Sequence, residues 1–248
     1  MSKACLLLHG YGGSPFEVEP ICRALKAAGY HTSAPLLPGH GTSVDDFKKT
    51  FFPDWLGCAE KALLDLQKKH DQTMVIGFSM GGALALHLAS HHNLAGVATL
   101  AGPVFTPWEL FLEKRDFRLF LIPILRHILP YYHTAPARQA SRDIAPVQGY
   151  DGIMCVPQMH SLLGGISQIR KRLHLVTCPL LIVNDLFDRH VAPVNALKIA
   201  RMTRSSDISL HFTHIKETVT SHHMLPTHIE TREQVAGLVL HFAHRIMG

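Results

Sequence analysis

Short, unbroken apolar runs alternate along this chain with segments whose apolar positions recur every three or four residues. The first run, 4–8 (Ala-Cys-Leu-Leu-Leu), has no polar interruption, the pattern of a strand covered on both faces of a parallel sheet. A glycine loop follows, His9-Gly10-Tyr11-Gly12-Gly13-Ser14-Pro15. Ser14 is placed to cap a helix with Pro15 at its first position. That helix carries Val18, Ile21, Cys22, Leu25 and Ala28 on one face and stops at Gly29. A second strand is predicted over 30–34, then a rigid loop from Pro35 through Pro38-Gly39-His40-Gly41. A helix over about 53–70 aligns Trp55, Cys58, Ala59, Ala62, Leu63 and Leu66. Strands are predicted at 73–76 and 94–100, with a helix over 83–90 between them.

The rhythm breaks from Pro103 to about Thr177. This stretch is rich in large apolar side chains, including Phe105, Trp108, Phe111, Phe117, Leu119, Phe120, Leu121, Ile122, Ile124 and Leu125. Pro123 interrupts any long helix there, Pro130-Tyr131-Tyr132 reads as a turn, and a second helix is predicted near 157–173. The segment reads as a mostly helical insertion whose apolar excess either lines an acyl pocket, meets a lipid surface, or simply buries itself for stability. Alternation then resumes with a strand at 179–183, a helix at 193–202, a strand at 207–212 and a closing helix at 229–246.

Strand alternating with helix predicts a mostly parallel sheet of about six strands with helices on both faces. Ligand sites in such sheets lie at the carboxyl ends of strands. One domain spanning 1–248, with 103–177 as a helical cap insertion, is the economical organisation.

Composition narrows the class. Apolar residues make up 47% of 248, a globular value. The formal charge of +5 is scattered, with no basic stripe interleaved with aromatics, so nucleic-acid binding is not expected. Five cysteines without a Cys-x-x-Cys read as reduced thiols, and the first apolar run is too short for a signal sequence. No run is long enough to span a bilayer, so a cytoplasmic location without stable membrane insertion is expected. The nineteen histidines include no His-Glu-x-x-His, and no metal site is expected.

Chemistry concentrates at Gly77-Phe78-Ser79-Met80-Gly81. A strand enters this pattern and a helix leaves it, so the sequence predicts a sharp turn with Ser79 at its apex and glycines where strand and helix pass closest. A serine hydroxyl needs a base, and the base needs an orienting carboxylate. On folds of this kind the chain order is serine, acid, histidine. Asp188, after one late strand, and His223, after the last, fill those places, with Asp185 a rival acid in the same loop. An oxyanion would be held by the backbone N–H of Met80 and that of Tyr11. His9 and His40 read as braces of their loops.

These residues resemble a family. Leu-Leu-Leu-His-Gly-Tyr-Gly-Gly-Ser-Pro at 6–15, Pro-Gly-His-Gly at 38–41, Gly-Phe-Ser-Met-Gly-Gly at 77–82, Asp188 in its loop and Ser-His-His-Met-Leu at 221–225 are similar to the α/β-hydrolase carboxylesterases and monoacylglycerol lipases of bacteria. Together they span nearly all of the chain outside the insertion. The resemblance implies an α/β-hydrolase fold, hydrolysis of short- to medium-chain acyl esters or monoacylglycerols, and no cofactor. Its register favours Asp188 over Asp185 and makes His223 the base. His222 then occupies a position that is usually glycine or serine in the family, which leaves the two histidines in competition. The family often has strands before the first one here, so a trimmed sheet is expected. Acyl transfer, amide cleavage, or a hydrolase-like scaffold that only binds small molecules are the rival functions.

Overall fold

Six strands hydrogen-bond side by side, all parallel, in the order β2-β1-β3-β4-β7-β8. They are β1 (Lys3–Leu8), β2 (His31–Ser33), β3 (Gln72–Phe78), β4 (Gly96–Leu100), β7 (Leu180–Asp185) and β8 (Ile208–Thr213). The structure, a computed structural model, describes residues 1–105 and 118–248. Alternate residues of one strand face opposite layers, as strand geometry requires. Leu6 and Leu8 of β1 join Trp55 and Leu63 of α3 (Phe52–Gln67) and Leu84 and Leu88 of α4 (Met80–Ala89). Cys5 and Leu7 join Ile21 and Leu25 of α1 (Glu19–Ala27) and Val235, Val239 and Phe242 of α9 (Arg232–Met247) on the other face. Each fully buried aliphatic side chain contributes ~1.5–3 kcal/mol. The two layers thus hold the sheet from both sides and fix its carboxyl edge in space.

α4 differs from its neighbours because it is buried almost all round, from Met80 through Leu86 without an exposed residue. It lies between the sheet and α7 (Val156–Arg172), and so it cannot drift relative to β3. The helix before α9 in the chain is α8 (Val194–Met202), between β7 and β8.

Between β4 and β7 lie α5 (Arg118–Leu125), β5 (Tyr131–His133), α6 (Gln139–Ile144), β6 (Ile153–Cys155) and α7. The helix expected near 157–173 is present as α7, but Tyr131-Tyr132-His133 is a strand and not a turn, paired antiparallel with Ile153-Met154-Cys155. Aromatic and β-branched residues favour a pleated pair, and the partner strand lies too far along the chain for a local pattern to announce it. Trp108, Phe111 and Phe117 of the predicted apolar stretch lie outside the described residues.

Two local expectations also change. Ser14 makes no capping hydrogen bond, because Pro15–Val18 form a 3-10 turn that moves the start of α1 to Glu19. A short helix, α2 (Val44–Phe47), follows the Pro-Gly-His-Gly loop, capped by the Ser43 hydroxyl accepting from the Asp46 N–H. Among the described residues no helix is long and apolar enough to cross a membrane.

Candidate active site

Ser79 sits between β3 and α4 with φ 53° and ψ −120°, a backbone conformation that costs a non-glycine residue ~1–3 kcal/mol. The surroundings hold it there. Its N–H donates to the Leu100 carbonyl at 2.8 Å, and its carbonyl accepts from the Gly82 N–H at 2.8 Å. The turn is tight enough that a Cβ on Gly77 would lie 1.9 Å from the Gly81 carbonyl oxygen, and one on Gly81 would lie 2.1 Å from that of Leu8. Only glycine fits at either place.

His223 reaches this apex from the loop after β8. Its Nε2 accepts the Ser79 hydroxyl at 2.9 Å, and its Nδ1–H donates to Asp188 Oδ2 at 2.8 Å. Asp188 stands in the loop after β7, and its Oδ1 accepts the N–H groups of His190 at 2.8 Å and Val191 at 2.9 Å. Both oxygens are therefore engaged, and the carboxylate cannot rotate away from the imidazole. The Phe78 ring packs 5.1 Å from that of His223, and both Asp188 and His223 are buried. Burial alone would pull the imidazole down, but the Asp188 charge, its hydrogen bond and the charge of Glu17 outweigh it, and the net shift is upward. A neutral imidazole so placed takes a proton from the hydroxyl, and its cationic form is stabilised by the carboxylate behind it.

The rival acid has another task. Asp185 accepts from the Phe187 N–H, the Thr213 hydroxyl and the Ile215 N–H, each at 2.9 Å, and so ties β7 to the end of β8. His222 points away from Ser79. Its Nε2–H donates to the Glu217 carbonyl at 2.6 Å, and its Nδ1 lies 3.6 Å from Asp185. The residue adopts φ 58°, which explains why a small residue suits the position. The structure therefore brings together Ser79, Asp188 and His223 and separates Asp185 and His222 from them.

The loop after β1 passes beside the serine, since a Cβ on Gly10 would lie 3.3 Å from Ser79 Cβ. Met80 is the first residue of α4, so its N–H has no intrahelical acceptor. The Tyr11 hydroxyl donates to the Cys155 carbonyl at 2.9 Å, and its ring meets Phe47 and Trp55 edge-on. His9 accepts the Leu37 N–H on Nε2 at 3.1 Å and donates from Nδ1 to the Gly10 carbonyl at 2.9 Å, joining two loops. Burial pulls His9 down to about 3 and His40 to about 4, which keeps both neutral. Among the described residues no group of three or more His, Cys, Asp or Glu side chains is arranged to hold a metal ion.

Two buried residues near the site carry no sequence pattern. Glu17 accepts the Gly10 N–H at 2.7 Å. Asn195 accepts the N–H groups of Val104 and Phe105 at 3.0 and 2.9 Å, fixing the chain where it leaves β4 for the insertion. An acidic residue in a turn and an amide near the start of a helix look like surface positions in a sequence. Only the fold encloses them.

A parallel sheet with a serine at a strand–helix apex, hydrogen-bonded to a histidine that is itself backed by a carboxylate, defines an α/β-hydrolase fold with the site of a serine hydrolase. The chain belongs to the Hydrolase_4 family, described as serine aminopeptidase, S33, whose model matches residues 1–216. It is 38% identical over 103 residues to the thermostable monoacylglycerol lipase of Bacillus sp. (strain H-257), an alignment covering 41% of each chain. It is 29% identical over 103 residues to a carboxylesterase of Bacillus subtilis (strain 168), covering 41% of this chain and 42% of that one. Each alignment thus spans about two fifths of the curated relative. The fold matches a solved structure from the metagenome-derived lipolytic enzymes LipS and LipT with a TM-score of 0.83 at 21% identity, over 98% of this chain and 94% of that one.

Proposed function

We propose that the chain hydrolyses carboxylic esters through an acyl-enzyme on Ser79, and that its substrates are medium-chain acyl esters or monoacylglycerols. The observation that carries this reading is the pair of bonds on His223, 2.9 Å to the Ser79 hydroxyl and 2.8 Å to Asp188. In the first half of the reaction His223 Nε2 takes the Ser79 proton as Oγ attacks the ester carbonyl. The Tyr11 and Met80 N–H groups hold the resulting oxyanion, each worth ~10²–10³ in rate. The tetrahedral adduct collapses, and the alcohol leaves with the proton from His223. Water then gives a proton to His223, attacks the acyl carbonyl, and releases the acid while Oγ regains its proton. The reading takes residues 1–248 as one domain and 103–177 as its cap. Support for a fatty acyl group comes from the names of the relatives and from Leu121, Ile124 and Ile128, which are exposed in that segment.

A series of p-nitrophenyl esters graded from acetyl to decanoyl, run on the wild type and on Ser79→Ala, tests both parts. Turnover is expected to peak at medium chain length and to fall at least ~10³-fold in the variant. Full turnover by Ser79→Ala overturns the mechanism. Highest turnover on acetyl with none on octanoyl overturns the acyl preference. The family description favours a second reading, cleavage of an amide at an amino terminus by the same serine. Faster turnover of aminoacyl nitroanilides than of any ester would select it.

A further inference from the structure

Glu17 is a charge-bearing side chain enclosed beside the site, and the reaction just described makes no use of it. It is buried at the 3-10 turn that follows the β1 loop. Its Oε2 accepts the Gly10 N–H at 2.7 Å. A Cβ on Gly10 would meet that oxygen at 3.1 Å and Ser79 Cβ at 3.3 Å, so carboxyl and serine flank the same residue. A Cβ on Gly13 would lie 2.3–2.5 Å from the carboxyl, so the loop closes around Glu17 only because it is glycine there. We propose that Glu17 is a positioning residue of this site: its carboxyl locks the His9–Gly10 peptide, and with it the loop that goes on to the Tyr11 N–H, and sets a second negative charge, beside that of Asp188, within reach of the His223 imidazole.

The groups that face this pair come from three loops. His223 follows β8, Asp188 and His190 follow β7 with the His190 ring 5.1 Å from that of His223, and His9 follows β1 with Nδ1 on the Gly10 carbonyl. His9 is held neutral, so it does not cancel the carboxylate. Burial raises the Glu17 carboxyl to about 7 against the opposing Gly10 hydrogen bond and His223 charge. The Glu17 charge is in turn among the influences that hold His223 up. Around neutral pH the loop anchor therefore passes between charged and neutral, and the base feels the change.

This inference rests on the ester-hydrolysis reading, and its test separates the two. Glu17→Gln keeps an oxygen to accept the Gly10 N–H but removes the charge. The acid limb of kcat/KM, which reports deprotonation of the base in the free enzyme, is expected to move to lower pH by about half a unit. The NMR titration midpoint of the His223 ring, assigned by comparison with His223→Gln, is expected to move the same way without any turnover. Glu17→Ala removes the anchor as well, and kcat is expected to fall at least ~10-fold with KM nearly unchanged. A limb and an NMR midpoint that stay put in Glu17→Gln overturn the proposal. A wild type with no ester turnover overturns the ester reading alone, because the NMR midpoint still decides the role of Glu17. If Glu17→Ala does not fold, Glu17→Gln and the titration carry the decision.

Discussion

Replacing Asp188 by asparagine keeps the shape of the side chain and is expected to silence the enzyme. Oδ1 is held by the N–H groups of His190 at 2.8 Å and Val191 at 2.9 Å, and these donors would select the amide oxygen of asparagine. The amide NH2 would then occupy the position of Oδ2, which lies 2.8 Å from His223 Nδ1. An NH2 group donates, so Nδ1 must accept, and the ring proton moves to Nε2. That nitrogen faces the Ser79 hydroxyl at 2.9 Å and would no longer accept from it. The base is then in the wrong tautomer, and the counter-charge for the imidazolium is gone. The expected loss in kcat is ~10⁴-fold, about 5.5 kcal/mol in the barrier. The fold loses far less, since packing and both backbone bonds survive, and each kcal/mol lost lowers the melting midpoint by ~2–4 °C. Steady-state and burst kinetics on p-nitrophenyl butyrate, with a thermal melt of the same preparation, measure both quantities. An Asp188→Asn protein turning over within tenfold of the wild type would refute the tautomer argument.

Three further substitutions probe the site and the backbone around it. His222→Gly relieves the φ of 58° but loses the bond to the Glu217 carbonyl, so kcat is expected to stay within about tenfold of the wild type, while His223→Ala falls at least ~10²–10⁴-fold. Equal loss in both folded variants, by the same ester assay, would return the two histidines to competition. Gly77→Ala puts a methyl 1.9 Å from the Gly81 carbonyl oxygen and is expected to destabilise the fold by about 3 kcal/mol or more, read as a drop in the urea midpoint. A midpoint within experimental scatter of the wild type would show that the turn has slack.

The sheet and the serine were legible because their causes are local. Apolar runs such as Leu6-Leu7-Leu8 announce a buried parallel strand, and Gly77 and Gly81 flank Ser79 within five residues. The acid and the base were half legible. Asp185 ends β7 and Asp188 stands three residues later in the loop that follows, and their tasks are divided by donors from elsewhere: Thr213 and Ile215 on one, His223 on the other. His222 and His223 are neighbours whose side chains part only because the backbone turns left-handed at His222. The β5–β6 pair was not legible, since each strand is three residues long and its partner lies beyond α6. Glu17 was invisible for a different reason. The space it occupies is an absence, the missing Cβ of Gly13, and sequence patterns record only what side chains are present.

Ser79 and His223 touch although 144 positions separate them, and the carboxylate behind the imidazole comes from a third distant loop. No partial chain emerging from synthesis contains all three before β8 and the loop beyond it have been made. On the proposed mechanism a nascent or truncated molecule that ends before His223 lacks the base for Ser79, however well its early strands have formed. Hydrolytic signal in a refolding experiment accordingly times the arrival of the carboxyl-terminal quarter and not the collapse of the core.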